Sequence, residues 1–333
     1  MSGRTRLVMW AICGCGLALL VLAACIQPRG GFGAPNGLVG AAGQGSAAVA
    51  DRHHLLMHDG TKREYYVHLP AGHDGQSALP VVLAFHGGAG SADAQRRQSR
   101  MSEVSDRFGF LLVYPEGTGR AKTWNAGSCC GYAVRRKVDD VGFTAAMIDD
   151  LARNYGIDED RVYATGMSNG GMLAYRLACE LSDRIAAIAV VSGDLGVDGP
   201  QPGRPVPVLH IHGMKDPNVL FVGGVGPNQF QPVPHRSIPE TIGFFVKANN
   251  CQPRPVETQQ GDEFVMERYA PAEADAGAPV LLYKLPEGGH TWPGGSDITA
   301  RFNTGRMIES FPASRIIWEF FAQFTLEGSV AAQ

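Results

Sequence analysis

Three residues in this sequence have the types and surroundings for nucleophilic chemistry: Ser168, Asp216 and His290. Gly166-Met167-Ser168-Asn169-Gly170 is the only G-x-S-x-G in the chain. Five such residues are a weak signal alone, and an ordinary strand-to-helix turn capped by serine is the plain alternative. Context strengthens the signal: the apolar run Arg161–Thr165 leads in, and a helical pattern opening at Asn169 leads out. A sharp turn of this kind raises the serine above a sheet, and flanking glycines remove side-chain clashes. The helix behind it favours developing negative charge. Serine is a poor nucleophile at its own pKa and needs a base that is itself held by an acid. His212-Gly213-Met214-Lys215-Asp216 follows the apolar run Val206–Ile211, and Gly288-Gly289-His290-Thr291-Trp292 follows Val280–Leu285. The three side chains are expected to converge from separate loops. His290 would then take the serine proton while Asp216 fixes its tautomer and stabilises the imidazolium.

Acyl transfer also needs donors for an oxyanion. The backbone N–H of Asn169 is one candidate. The second is expected in the turn His86-Gly87-Gly88-Ala89-Gly90, at Gly88. Asp194, which follows the run Ala187–Val191, competes with Asp216 for the role of acid. His210 and His212 share one face of a strand, but no Cys, Asp or Glu cluster accompanies them, so they read as structural and no metal or cofactor is expected. His86 reads as a residue that orders its turn. Trp124 and Trp292 lie near the proposed strand ends, where a flat ring could stack on a sugar or aromatic acyl group; half-buried packing is the alternative. Asp139 and Asp140 read as loop and helix-start residues.

The elements that must position these groups alternate in type. Tyr65–Leu69 alternates like a strand, and Val81–Phe85, Gly109–Tyr114, Arg161–Thr165, Ala187–Val191, Val206–Ile211 and Val280–Leu285 are short apolar runs bounded by Gly and Pro. Such runs suit strands buried on both faces of a parallel sheet. Between them, Phe143, Met147, Ile148, Leu151 and Tyr155 fall at helical spacing, and Ser168 to Leu181 has the content of a buried helix. Ile316, Ile317, Phe320, Phe321 and Phe324 read as the core stripe of a C-terminal helix. The pattern predicts one doubly wound α/β domain over residues 51–327, followed by a tail at 328–333. Residues 219–239, rich in Gly and Pro, are expected to make an excursion over the strand ends.

The bulk numbers exclude some classes. Of 333 residues, 44% are hydrophobic and 18% charged, which is ordinary for a globular chain and argues against wholesale disorder. A net charge of −3 gives no electrostatic case for nucleic acid, and Arg135-Arg136-Lys137 reads as a solvated loop. Arg4 and Arg6 precede an uncharged apolar stretch that ends in Leu22-Ala23-Ala24-Cys25. Residues 1–25 therefore read as an export signal, with an uncleaved anchor as the alternative. Those last four residues resemble the lipobox of bacterial lipoproteins, which implies cleavage before Cys25, a lipid on its sulfur and attachment to the membrane. Residues 26–50 are Gly, Ala, Ser, Gln and Pro with hardly a charge, the composition of a flexible tether. The body is thus expected outside the cytoplasm. Cys129, Cys130, Cys179 and Cys251 remain after the signal and Cys25 are set aside. An even number in an exported chain suggests two disulfides, with Cys129 and Cys130 reaching to Cys179 and Cys251 in an undecided order. Free buried thiols are the alternative.

Trp124-Asn125-Ala126-Gly127-Ser128-Cys129-Cys130-Gly131, then Val138-Asp139-Asp140-Val141-Gly142-Phe143, then Arg161-Val162-Tyr163 before the serine turn, resemble the polyhydroxybutyrate depolymerase-type esterases, a group related to feruloyl and acetylxylan esterases. His290-Thr291-Trp292-Pro293-Gly294-Gly295 and Asp216-Pro217 resemble that family's histidine and acid motifs. The resemblance runs from about Tyr65 to Phe324. It implies an α/β-hydrolase fold, a mostly parallel sheet with helices on both faces, and hydrolysis of carboxylic esters without metal or cofactor. Polymer depolymerases usually carry a polymer-binding module, and this sequence ends soon after its last core helix. Small soluble esters, or acyl groups on polysaccharide, are therefore the expected substrates. A peptidase on the same fold and a non-catalytic envelope binding protein are the competing readings.

Overall fold

The computed structural model describes residues 51–73, 77–199, 201–229, 231–273, 276–298 and 302–329. The expected signal at 1–25 with Cys25, the tether at 26–50 and residues 330–333 of the tail lie outside the described residues. In chain order the strands are β1 (Arg52–His58), β2 (Thr61–His68), β3 (Leu79–Phe85), β4 (Leu111–Pro115), β5 (Ile157–Met167), β6 (Ala187–Val191), β7 (Val208–Gly213), β8 (Glu257–Gln260), β9 (Val265–Tyr269) and β10 (Val280–Leu285). A short pair, β11 (Phe324–Thr325) and β12 (Gly328–Ser329), stands apart. The helices are α1 (Ala92–Ser99), α2 (Met101–Phe108), α3 (Gly131–Arg135), α4 (Asp140–Tyr155), α5 (Asn169–Glu180), α6 (Ile238–Ala248) and α7 (Ala313–Phe321).

The first ten strands form one sheet in the order β1-β2-β4-β3-β5-β6-β7-β10-β9-β8. Its centre, from β4 to β10, is parallel, and antiparallel strands extend it at both edges. Every residue of β3, β4, β6 and β7 is buried, which is why the sequences of β3, β4 and β6 are apolar without alternation, and the two histidines of β7 are buried with it. Within β3, Val81, Leu83 and Phe85 join the core under α4, α5 and α6, while Val82 and Ala84 join the core under α1, α2 and α7. Helices therefore cover both faces, as an α/β-hydrolase fold requires. Each large apolar side chain buried this way contributes about 1.5–3 kcal/mol.

Two expectations are corrected. Phe324 lies on β11 beyond the end of α7, although it still packs on Phe320 with ring centroids 5.0 Å apart. The disulfide pairing fails as well. Cys179 is a buried free thiol on α5, and the free thiol of Cys251, after α6, points at the carbonyl of Ala278. Neither is bonded to Cys129 or Cys130: the start of α5 touches the loop before α3 through Asn169, but Cys179 lies near the other end of that helix, and Cys251 follows α6. The sulfurs of Cys129 and Cys130 lie against each other, and that contact is not a disulfide.

Candidate active site

The parallel strands bring their C-terminal ends to one edge. Met167 at the end of β5 pairs with Val191 of β6, Val191 with Ile211 of β7, and Ile211 with Tyr283 of β10. Ser168 is the next residue after β5, and its N–H donates to Val191 O at 2.9 Å. Its backbone sits at φ 54° and ψ −125°, a conformation that costs about 1–3 kcal/mol in a non-glycine residue. Close packing enforces it. A Cβ on Gly170 would lie 2.3 Å from Phe85 O and 2.5 Å from His86 O, so only glycine lets the start of α5 descend onto the end of β3. The strained serine thus stands between a strand that cannot shift and a helix wedged against its neighbour.

Asp216 and His290 are positioned by two loops laced together. Met214 N–H donates to Leu285 O at 2.9 Å, and Lys215 N–H to Gly288 O at 2.9 Å. The Asp216 carboxylate, 2% exposed, accepts from Asn218 N–H at 2.8 Å and Val219 N–H at 2.9 Å through Oδ1. Its Oδ2 lies 2.7 Å from His290 Nδ1. Burial alone would raise the Asp216 pKa; the charge and hydrogen bond of His290, aided by His212 and the Asn218 N–H, outweigh it and hold the carboxyl below its ordinary 3.8. Among the described residues no hydrogen bond joins Ser168 to His290. Such bonds are often loose before substrate arrives. Asp194 is engaged elsewhere, with His235 Nδ1 at 2.8 Å and Arg236 N–H at 2.8 Å, so it does not meet His290.

Behind Asp216 runs a buried chain absent from the sequence reading. His212 Nε2 faces the carbonyl of Val219 at 2.8 Å, and a carbonyl only accepts, so that nitrogen carries a proton. Burial pushes the pKa of both His212 and His210 down, so each ring is neutral and each Nδ1 is an acceptor. His210 Nε2–H then donates to His212 Nδ1 at 3.0 Å, and Tyr175 O–H to His210 Nδ1 at 2.7 Å. Every dipole in the row points toward Asp216, whose Oδ2 lies 3.6 Å from His212 Nε2. The two strand histidines are thus structural, as their sequence context suggested. Among the described residues no group of three or more His, Cys, Asp or Glu side chains is placed to hold a metal ion.

The turn after β3 completes the edge. Gly117 N–H donates to His86 Nε2 at 3.0 Å, which leaves the ring proton on Nδ1 to donate to Gly87 O at 2.7 Å. Gly87 O also accepts from Gly90 N–H at 3.0 Å. The Gly87–Gly88 peptide is planar, so its N–H, on Gly88, points away from both donors. Among the described residues the backbone N–H groups of Gly88 and Asn169 have no acceptor. The positions of the two are close: a Cβ on Gly88 would lie 3.7 Å from that of Asn169. The side chain of Asn169 does separate work. Its Oδ1 accepts from Trp124 N–H at 2.8 Å, and its Nδ2 donates to the carbonyls of Trp124 and Cys129 at 3.1 and 3.3 Å.

The stacking expectation for the tryptophans is corrected. Trp124 and Trp292 are both 0% exposed. Trp124 sends its indole N–H to His86 O at 2.9 Å, and Trp292 sends its own to Ser314 Oγ at 2.9 Å. A ring enclosed on both faces offers no surface to a substrate, so these residues support the edge from within. Asp139 and Asp140 are structural, as expected: Asp139 caps α4 through Gly142 N–H at 2.9 Å, and buried Asp140 binds Arg63 at 2.7 Å and Asn125 N–H at 2.7 Å.

The family described as Esterase PHB depolymerase matches residues 63–225. NocK of Nocardia uniformis subsp. tsuyamanensis, whose name carries the word esterase, is 35% identical over 254 residues, covering 71% of this chain and 72% of its own. This chain belongs to the esterase PHB depolymerase family. Feruloyl esterase B of Piromyces equi is 30% identical over 68% of this chain, and the acetylxylan esterase/xylanase XynS20E of Neocallimastix patriciarum is 27% identical over 82% of it. The chain spans only 42% and 35% of the lengths of those two relatives. Among solved structures, an acetyl xylan esterase from Aspergillus awamori matches 72% of this chain and 94% of its own, with a TM-score of 0.55 at 16% identity. A thermostable esterase matches 83% of this chain and 63% of its own, with a TM-score of 0.51 at 16% identity. Both show the shared fold. Membership in the esterase PHB depolymerase family makes this protein a carboxylic-ester hydrolase.

Proposed function

We propose that this esterase works through an acyl-enzyme on Ser168, with His290 as general base and Asp216 as its orienting acid. The observation that carries the reading is the 2.7 Å contact of His290 Nδ1 with Asp216, at the sheet edge that also holds the strained Ser168. With Nδ1–H committed to Asp216, Nε2 is free to accept the Ser168 proton as Oγ attacks an ester carbonyl. The new oxyanion is taken by the N–H groups of Gly88 and Asn169. His290 then returns its proton to the departing alcohol, and water repeats the cycle to release the acid.

Short, hydroxylated or aromatic acyl esters, free or carried on polysaccharide, are the proposed substrates, and the names of the feruloyl and acetylxylan esterase relatives support that choice. The chain is further read as extracytoplasmic, exported by residues 1–25 and lipid-anchored at Cys25. Among the described residues no helix is long and apolar enough to cross a membrane. The purified protein is expected to hydrolyse p-nitrophenyl acetate, and Ser168→Ala to lower kcat by roughly 10⁶ with the circular dichroism spectrum unchanged. Retained hydrolysis in that variant would remove Ser168 from the mechanism.

A further inference from the structure

A cavity enclosing about 310 Å³ opens beside the oxyanion turn, between the β1–β2 hairpin, the loop after β4 and α3. That volume suits a small ligand. It shares walls with the site: Gly117, in its lining, bonds His86, and the carbonyl of Lys122, also in its lining, accepts from Ala89 N–H at 3.1 Å. An occupant therefore lies against the segment that holds Gly88.

Its lining carries five cations (Lys62, Arg63, Lys122, Arg136, Lys137) and four carboxylates (Asp59, Glu64, Glu116, Asp139), with Arg63 paired to buried Asp140 behind the wall. The pairing is unequal. Asp139 faces His58 at 3.0 Å and Glu116 faces His86 at 3.4 Å, whereas Lys62, Lys122, Arg136 and Lys137 have no ion-pair partner among the described residues. Two further atoms stand unsatisfied inside the wall. Arg63 Nε is a donor without an acceptor on a side chain 2% exposed, and Glu116 Oε1 has no hydrogen-bond partner. Buried polar atoms left unpaired are costly, and sites that keep them usually satisfy them with a ligand or solvent.

The backbone is strained in the same place. Lys122 and Lys137 have φ of 44° and 50°, a conformation common for Gly and Asn but not for lysine. Tyr132, 42% exposed, packs closely on Gly119, where a Cβ would come within 2.6 Å of its Cγ. The Arg136 guanidinium lies 6.0 Å from the centre of this part-exposed ring, and aromatic surface of this kind stacks on sugar rings.

We propose that this cavity is a subsite for a uronate, a sugar ring bearing one carboxylate, on the polysaccharide that carries the ester. Unpaired lysines and Arg63 Nε take the carboxylate, Glu116 accepts from ring hydroxyls, and Tyr132 stacks on the ring. The four cations without ion-pair partners among the described residues, in a wall that also holds four carboxylates, match a hydroxylated mono-anion and oppose phosphate. This inference rests on the esterase reading above for its purpose, but the binding can be tested without catalysis.

The probe is a glucuronate-substituted xylo-oligosaccharide, compared by calorimetry with the same oligosaccharide after reduction of its carboxyl, on full-length Ser168→Ala protein. The acid form is expected to bind about tenfold more tightly. The preference should fade at high salt and vanish in Lys62→Gln/Lys137→Gln, whose substituted side chains are exposed. With the acetylated sugars and Ser168 intact, the same preference should appear in kcat/KM. Equal binding of the two forms, a preference that survives in the double variant, or inorganic phosphate binding as tightly as the uronate overturns the proposal. If the acid form binds preferentially but neither acetylated sugar is hydrolysed, the subsite stands and the esterase reading falls.

Discussion

His290 Nδ1 and Asp216 Oδ2 meet at 2.7 Å across 74 residues of sequence, and the contact holds the Asp216 pKa below 3.8 despite burial. Asp216→Asn keeps the shape but presents an amide that favours the wrong imidazole tautomer. A loss in kcat of roughly 10⁴ is expected, with KM little changed, measured on a p-nitrophenyl ester. The variant should also lose stability in a pH-dependent way. A carboxyl with a depressed folded pKa contributes stability above its unfolded value, and that contribution is lost as pH falls through the folded value. The stability gap between wild type and Asp216→Asn should therefore be full above about pH 4 and close on acidification; a gap that is constant down to pH 2 contradicts it.

His86 holds the Gly87 carbonyl and thereby aims the Gly88 N–H. His86→Ala frees that peptide to rotate. Since removal of one oxyanion donor costs roughly 10²–10³ in kcat, a misaimed donor should cost about 10–100-fold, with KM close to wild type. A rise in KM with unchanged kcat would assign His86 to substrate binding instead.

Arg63 and Asp140 are a buried pair, 2% and 0% exposed at the side chain, and the guanidinium lies 3.8 Å from the centre of the Phe143 ring. Removing one partner strands the other. Asp140→Ala should cost about 3–5 kcal/mol, lowering Tm by roughly 10 °C in a thermal scan. The double variant Arg63→Met/Asp140→Leu should recover most of that loss, because no charge remains buried.

Burial pushes the thiol of Cys179 up to about 12 and that of Cys251 up to about 11. Little thiolate exists at pH 8, so both should react slowly with a thiol reagent in the native protein and fully after unfolding without reductant. A disulfide-linked peptide joining either one to Cys129 or Cys130 in a non-reduced digest would contradict the structure.

The sequence revealed the centre of the fold better than its edges. β6 matches the predicted run residue for residue, because a strand covered on both faces must be apolar throughout; β10 matches its run too, although it is only partly buried and carries Lys284. β8 has four exposed residues, Glu-Thr-Gln-Gln, and no apolar signature to read. β1 had a usable signal that went unread: Asp59-Gly60, with φ of 48° and 66°, is the dipeptide of a tight hairpin. α6 likewise announces itself by the capping box Ser237–Glu240, at the end of a segment read only as an excursion. In the candidate site, the placement of Ser168, Asp216 and His290 at the strand ends was legible because each follows an apolar strand. The burial of Trp124 was not, since the carbonyl that receives its indole belongs to His86, 38 residues away.

Asn169 is committed in two directions at once. Its main-chain N–H, the proposed oxyanion donor, has no acceptor among the described residues, while its side-chain amide grips the backbone at Trp124 and Cys129. Residues 124–131 and Ser168 are consequently one heritable unit: a change of shape in that loop is transmitted to the serine through its neighbouring amide. Grafting the loop from a relative would re-tune the footing of Ser168, and loop exchanges in this enzyme should succeed only when the graft keeps the carbonyls at 124 and 129 in place for the asparagine.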